Sequence, residues 1–196
     1  QLNNNILIPR PDTELMVEKL SHIYQGKNIS ILDIGTGSGC IIISLLSELQ
    51  NSYGVGVDVS KKAIEAARIN AKKLISNKRV KFFRKSFTNI SNLKFDLIVS
   101  NPPYIKRSDI KNLNEDIKRF EPKIALDGGN DGLDVIKKVI YKANEILKIN
   151  GKLALEIGNE QYKKVSKILR NKNFRIEHII TDYNKNIRCV ISTLLK

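Results

Sequence analysis

Phe95-Asp96-Leu97-Ile98-Val99-Ser100-Asn101-Pro102-Pro103-Tyr104 is the stretch that organises this chain. Its first six residues form an apolar run of strand length, and the next four bring an amide, two imino acids and a phenol. Open α/β sheets bind ligands at the carboxyl ends of their strands, and the tetrapeptide stands where such a strand ends. Pro102 and Pro103 have fixed φ and no N–H, so the turn is stiff and its carbonyls remain acceptors. A residue before a proline is kept out of the helical region, so Asn101 and Pro102 are both extended. One side-chain amide oxygen and one backbone carbonyl on a rigid turn suit gripping an –NH2 group through both its hydrogens.

Working outward, strand-like and helix-like segments alternate. Strands are predicted at residues 29–34, 53–58, 80–84, 95–100, 152–156, 174–181 and 188–194, and helices at 39–50, 61–75, 133–147 and 160–171. Ser60 is the expected N-cap of the second of these helices, whose apolar face is Ala63, Ala66, Ala67, Ala71 and Leu74. Asp131 is a candidate cap for the third, and Asn150-Gly151 marks its end. An extra N-terminal helix begins at Asp12, with acids in its first turn. The polar stretch 105–131 is long for a compact domain and reads as a functional loop with short helical turns. The last two strands join across 182–186 as a hairpin. Repeated βα units closed by a hairpin imply an α/β fold: a mostly parallel, doubly wound sheet with one antiparallel strand.

At 196 residues and 41% hydrophobic content, one domain with a sizeable core is expected. No run of about 18 uncharged apolar residues occurs, so no membrane span is expected. The opening Gln1-Leu2-Asn3-Asn4-Asn5 lacks a basic segment followed by a long apolar one, so no signal peptide is expected, and a start without Met fits a piece of a longer protein. Cys40 and Cys189 have no metal-like spacing; a reduced, cytoplasmic setting and no metal are expected. The net charge is +14, from 34 Lys and Arg against 20 Asp and Glu. Pairs such as Lys61-Lys62, Lys72-Lys73, Lys137-Lys138 and Lys163-Lys164 fall on predicted helices. They read as solvated faces, which outweighs a dedicated nucleic-acid patch.

Asp33-Ile34-Gly35-Thr36-Gly37-Ser38-Gly39 closes the first strand and opens a helix. Its glycines permit a tight turn and close approach of a ligand, and the helix start offers N–H groups to an anion. Asp58 ends the next strand, about 20 residues on, where an acid takes ribose hydroxyls in nucleotide-binding sheets. A pyrophosphate-bearing dinucleotide would suit this helix start, and so would the carboxylate of S-adenosylmethionine. The Asn101–Tyr104 turn decides, because hydride transfer has no use for an –NH2 clamp. Two acceptors on an amide or exocyclic amine push electron density onto nitrogen and aim its lone pair at a sulfonium methyl, which is catalysis by positioning and electrostatics. The nitrogen loses its proton as or after it gains the methyl, so no strong base is needed. That agrees with only two histidines, His22 and His178, both read as structural. Tyr104 either stacks on the planar substrate group, the favoured reading, or packs against the sheet.

With these residues in view, the chain resembles the protein-(glutamine-N5) methyltransferases that modify peptide-chain release factors. The resemblance covers nearly the whole chain. It rests on Ile8-Pro9-Arg10-Pro11-Asp12-Thr13-Glu14, residues 33–39 and 100–105, Arg119-Phe120-Glu121-Pro122 and Gly128-Gly129-Asn130-Asp131-Gly132-Leu133. The first, fourth and fifth segments discriminate, because Asn-Pro-Pro-Tyr alone also occurs in adenine-N6 methyltransferases.

The resemblance implies a class I methyltransferase fold, seven-stranded with an antiparallel terminal strand, and S-adenosyl-L-methionine as donor, leaving S-adenosyl-L-homocysteine. It implies that Gly35, Thr36, Gly37, Ser38 and Gly39 hold the methionine portion and Asp58 the ribose, that Phe87 lies near the adenine, and that Asn101 borders both ligands. Asn101 and Pro102 would be catalytic, with Pro103 and Tyr104 completing the glutamine site. The partner would be a release factor, whose Gly-Gly-Gln loop enters the pocket. Ser86 departs from the acid that commonly precedes the aromatic at 87, which leaves the adenine amino group to a backbone group.

Arg10 either braces the 101–104 turn or the substrate backbone, or pairs with a surface acid; Glu14 has no derived role. Arg119 and Glu121 would belong to a lid, and Cys40 to the core. Residues 1–196 are expected to be one catalytic domain, without the family's small N-terminal helical domain. The alternative activity is adenine-N6 methylation of DNA or RNA, which uses the same grip on a flipped base. A fold retained only for docking would not need Asn101 and Asp58 intact.

Overall fold

A computed structural model describes residues 11–75, 78–115 and 122–196. Seven strands, β1 (Ser30–Ile34), β2 (Tyr53–Asp58), β3 (Val80–Arg84), β4 (Phe95–Ser100), β5 (Leu147–Glu156), β6 (Phe174–Thr181) and β7 (Ile187–Leu194), form one sheet in the order β3-β2-β1-β4-β5-β7-β6. The neighbours from β3 to β5 pair in parallel, whereas β7 runs antiparallel to both β5 and β6. This is the mostly parallel sheet with one reversed strand that the βα repeats imply. Strand order reverses direction between β1 and β4, which opens a crevice beyond their carboxyl ends.

Among the described residues, five helices cover the two faces: α1 (Pro11–Tyr24), α2 (Cys40–Glu48), α3 (Lys61–Leu74), α4 (Asp134–Ile146) and α5 (Tyr162–Asn171). Alternation along the strands splits the core in two. On one face Ile31, Leu97 and Val99 meet Met16 and Leu20 of α1, Ile42 and Leu46 of α2 and Ala67 of α3. On the other, Leu32, Ile98, Leu153 and Leu155 meet Ile136, Val139 and Ile140 of α4 and Val165 of α5. Strands buried on both faces must be apolar throughout, which is why β4 reads as a continuous run rather than an alternation.

The chain enters β5 earlier than the sequence predicts. Helix α4 ends at Ile146 and β5 starts at once at Leu147, so Asn150-Gly151 lies inside a strand rather than at a helix end. Asn150 takes a left-handed φ of 64°, and the pairing with β4 slips between Phe95 and Leu97. The extra residues are absorbed as a bulge, because pairing Leu147 with Phe95 satisfies backbone groups that a loop would leave to solvent. The polar segment after β4 does contain short helical turns, at Ile110–Asn112 and Lys123–Ala125, and pins itself by a bridge between Ile105 and Asp127. Among the described residues no helix is long and apolar enough to cross a membrane.

In α3, Ala63, Ala66, Ala67 and Ala71 are buried as expected, but Leu74 is 68% exposed because the helix ends where the core does. Ser60 Oγ accepts from the Ala63 N–H at 3.3 Å, satisfying one first-turn donor. Ser60→Ala is therefore expected to lower unfolding free energy by about 1 kcal/mol in urea denaturation; an unchanged midpoint would show the cap to be idle.

Candidate active site

Strands β2, β1 and β4 lie side by side in parallel, with Ile34 opposite both Val57 and Ser100. The glycine loop, Asp58 and the Asn101 turn therefore leave the same edge of the sheet. Ser100 Oγ donates to the Ile34 carbonyl at 2.8 Å, tying the ends of the two strands that flank the crevice.

The glycine loop is held from beneath. The Gly35 and Thr36 N–H groups both donate to the Val57 carbonyl, and the Gly39 N–H to the Thr36 carbonyl. Gly39 has φ 80°, and a Cβ there would come within 2.8 Å of Ile43 Cδ1 and 3.2 Å of Ala67 Cβ. The third glycine is thus required by its backbone and by the packing of α2 against α3. No side chain caps α2, so its first-turn N–H groups face outward for an anion. Asp58 does more than end β2: its Oδ2 accepts from the Gly37 N–H at 3.0 Å and its Oδ1 from the Ser60 N–H at 2.9 Å. The acid fixes the loop, and a carboxylate keeps further lone pairs for hydroxyl donors.

Asp33 is fully buried. Thr36 Oγ1 donates to its Oδ2 at 2.7 Å, while Oδ1 has no hydrogen-bond partner among the described residues. Burial pushes this carboxyl up to about 7, against the Thr36 hydroxyl, which lowers it, and with the Asp58 charge, which raises it.

Asn101 is half-buried and Pro102 buried. No hydrogen bond from a described residue occupies the Asn101 side chain or the Pro102 carbonyl. Behind them the turn is fastened by a residue the sequence reading does not single out. Gln161 Oε1 accepts from the Gly158 N–H at 2.9 Å, and its Nε2 donates to the carbonyls of Tyr104 at 3.0 Å and Gly132 at 3.1 Å. One amide thus joins the loops after β4, after β5 and before α4. Gly132, at φ 74°, lies so close that a Cβ would sit 2.5 Å from the Tyr104 carbonyl oxygen. This accounts for its place in the Gly128–Leu133 motif.

Tyr104 packs on the core beneath α4 and α5, and its hydroxyl accepts from Arg188 Nη2 at 3.2 Å. Tyr104 also lines the small pocket at the Asn101 turn with Pro102 and Pro103. Phe87 is half-buried in the turn Phe87–Asn89. Ser86 Oγ accepts from the Thr88 N–H and caps that turn.

Arg10, Arg119, Phe120 and Glu121 lie outside the described residues. Cys40 is half-exposed rather than core: with exposed Glu14 it lines a groove that runs along α1 and α2 from Thr13 and Cys40 to Gln25 and Leu49. Thr13, in the N-terminal motif, donates to the buried Glu156 at the end of β5 at 2.7 Å. Glu156 and Gln161 had a visible signal in their position, since both fall at or just beyond a predicted strand's carboxyl end.

The comparisons with known proteins agree with this geometry. A methyltransferase-domain family matches residues 25–191. The release factor glutamine methyltransferase of Fusobacterium nucleatum is 42% identical over 98% of this chain and 55% of its own length. That of Caulobacter vibrioides is 35% identical over 97% of this chain and 67% of its own. The chain belongs to the release factor glutamine methyltransferase family. Across such relatives and the bifunctional methyltransferases alongside them, it spans 40% to 67% of their length. A 1,6-didemethyltoxoflavin-N1-methyltransferase from Burkholderia thailandensis, solved with S-adenosylhomocysteine, superposes with TM-score 0.66 at 11% identity over 95% of this chain and 79% of its own. At that identity the likeness is one of fold, the class I methyltransferase sheet.

The Asp33 shift has a sign that can be checked. Burial favours the protonated carboxyl, so the stability linked to this group is present below its ordinary value of 3.8 and is lost as pH rises to about 7. In Asp33→Asn the melting temperature should fall less between about pH 4 and pH 7 than in the wild type. Parallel curves would remove Asp33 as the source.

Proposed function

We propose that residues 1–196 form one catalytic domain that moves the methyl group of S-adenosyl-L-methionine to the side-chain amide nitrogen (N5) of the glutamine in a release factor's Gly-Gly-Gln loop. The observation that carries this reading is adjacency: a stiff turn with two open acceptors stands one hydrogen bond from the glycine loop, across the crevice between β1 and β4. The names of the relatives supply the substrate class.

The residues fit the donor. The uncapped start of α2 suits its carboxylate, and the orphaned oxygen of buried Asp33, two residues before Gly35, suits a cationic group. In this reading Gly35, Thr36, Gly37, Ser38 and Gly39 hold the methionine portion, Asp58 accepts from the ribose hydroxyls while keeping Gly37 in place, and Phe87 lies against the adenine. The donor supplies an electrophilic methyl carbon. Asn101 Oδ1 and the Pro102 carbonyl each accept one N–H of the glutamine amide, which moves electron density onto nitrogen and fixes the direction of its lone pair. Pro103 keeps the turn rigid, Tyr104 walls the pocket with Arg188 behind it, and Arg10 holds the substrate backbone. The displaced proton passes to water. The domain would act in the cytoplasm, where Cys40 and Cys189 stay reduced.

The test mixes purified protein, donor and release factor, with adenine-containing nucleic acid at matched salt in a second tube. One added methyl on the glutamine of the Gly-Gly-Gln peptide, read by mass spectrometry, is the expected result. Methyl on adenine instead would replace the reading with the adenine-N6 alternative. Asn101→Ala should lower kcat by about 100-fold while donor affinity falls much less. A variant with weakened donor binding but normal turnover at saturation would contradict the clamp.

A further inference from the structure

The positive charge of this chain is densest in one place. Residues 61–85 hold ten Lys and Arg against one acid, Glu65, a net +9 in 25 residues, whereas residues 86–196 spread a net +8 over 111. The first sixty residues are net negative, with three basic against six acidic residues. The basic segment builds α3 and β3, and β3 is the outermost strand at one end of the sheet. Lys61, Lys62, Lys72, Lys73 and Lys81 are all exposed there. Arg68, Lys72, Lys81 and Phe83 border one trough along the edge.

The same edge carries aromatic rings. Gly54 and Gly56 of β2 and Val80 and Phe82 of β3 face α2 and α3, as the close contacts of Gly54 with Ile42 and the place of Phe82 in that core show. Alternation sends Tyr53 and Val55 of β2, and Lys81 and Phe83 of β3, to the opposite face. Val55 pairs with Lys81 and Val57 with Phe83, so these side chains are neighbours. Tyr53 is 53% exposed and Phe83 45%. The register separates the two rings by about four residues, roughly 13 Å along the strands, a span of two to three stacked or extended nucleotides.

We propose that the β3 edge and the adjoining outer face of β2 and β3 bind single-stranded RNA, with Tyr53 and Phe83 as stacking platforms on that face, and with Lys81 beside them and Lys72 across the edge on α3 reaching the phosphates. An acidic protein surface would use the cations but would have no use for two rings spaced along an open sheet. The surface lies at the sheet's end and is separate from the methyl-transfer crevice, so the proposal stands whether or not the glutamine assignment does.

Binding of a fluorescent twelve-nucleotide mixed-sequence RNA, followed by anisotropy over a salt series, tests it. The wild type should bind, with affinity falling steeply as salt rises. Lys72→Glu with Lys81→Glu should weaken binding at least about tenfold and flatten the salt dependence, whereas Lys163→Glu with Lys164→Glu on α5 should change it less than about threefold. Phe83→Ala and Tyr53→Ala should each weaken it by about fivefold or more with the salt slope unchanged. Equal losses from the α5 pair, no effect of either ring, or tighter binding of poly-glutamate of matched charge would each overturn the proposal. Unchanged circular dichroism of each variant keeps these readings separate from misfolding.

Discussion

The hydroxyl of Ser100 and the carbonyl of Ile34 hold together the two strand ends on which everything functional here depends. They are the last residues of β4 and β1, and the helices that follow those strands leave for opposite faces of the sheet. The parallel ladder already joins β1 to β4 as far as Ile34 and Ser100, and this short side-chain bond between buried partners extends the join to the point where the glycine loop and the proline turn leave the sheet. The parallel register, with Ile34 level with Val57 as well, brings Asp58 to the same edge.

The two loops are made rigid by different means. The glycine loop has permissive residues and gains its shape from hydrogen bonds to Val57 and Asp58. The proline turn brings its own stiffness and needs only anchoring behind, from Gln161, Arg188 and the close approach of Gly132. Both arrangements leave polar groups directed outward with little reorganisation to undergo on binding, which is the condition for electrostatic catalysis.

Much of this was legible in the residues. Each predicted strand exists, because parallel strands buried on both faces leave unbroken apolar runs, and the glycine loop and Asn101 turn are local motifs whose chemistry travels with their sequence. What escaped depends on long-range pairing. Gln161 is an ordinary polar residue until the sheet brings the ends of β4 and β5 together. The early start of β5 follows from a partner strand, Phe95 facing Leu147, that no local propensity encodes. Arg10, Arg119 and Glu121 keep the roles expected of them as proposals only. The run of basic residues at 61–85 can be counted in the sequence, but only the position of β3 at the sheet's end turns that run into a surface.

The reversed strand has a consequence for how the molecule comes into being. β6 has no neighbour in the sheet except β7, and β7 lies between it and β5. During synthesis the first five strands can pair as they emerge, each against one already made, while β6 must wait exposed until residues 187–194 slide into the gap. The final eight-residue insertion therefore closes the second core over Phe174 and Val190. A ribosome stalled shortly before that point would hold a nascent chain with the candidate-site edge finished but an open, adhesive flank.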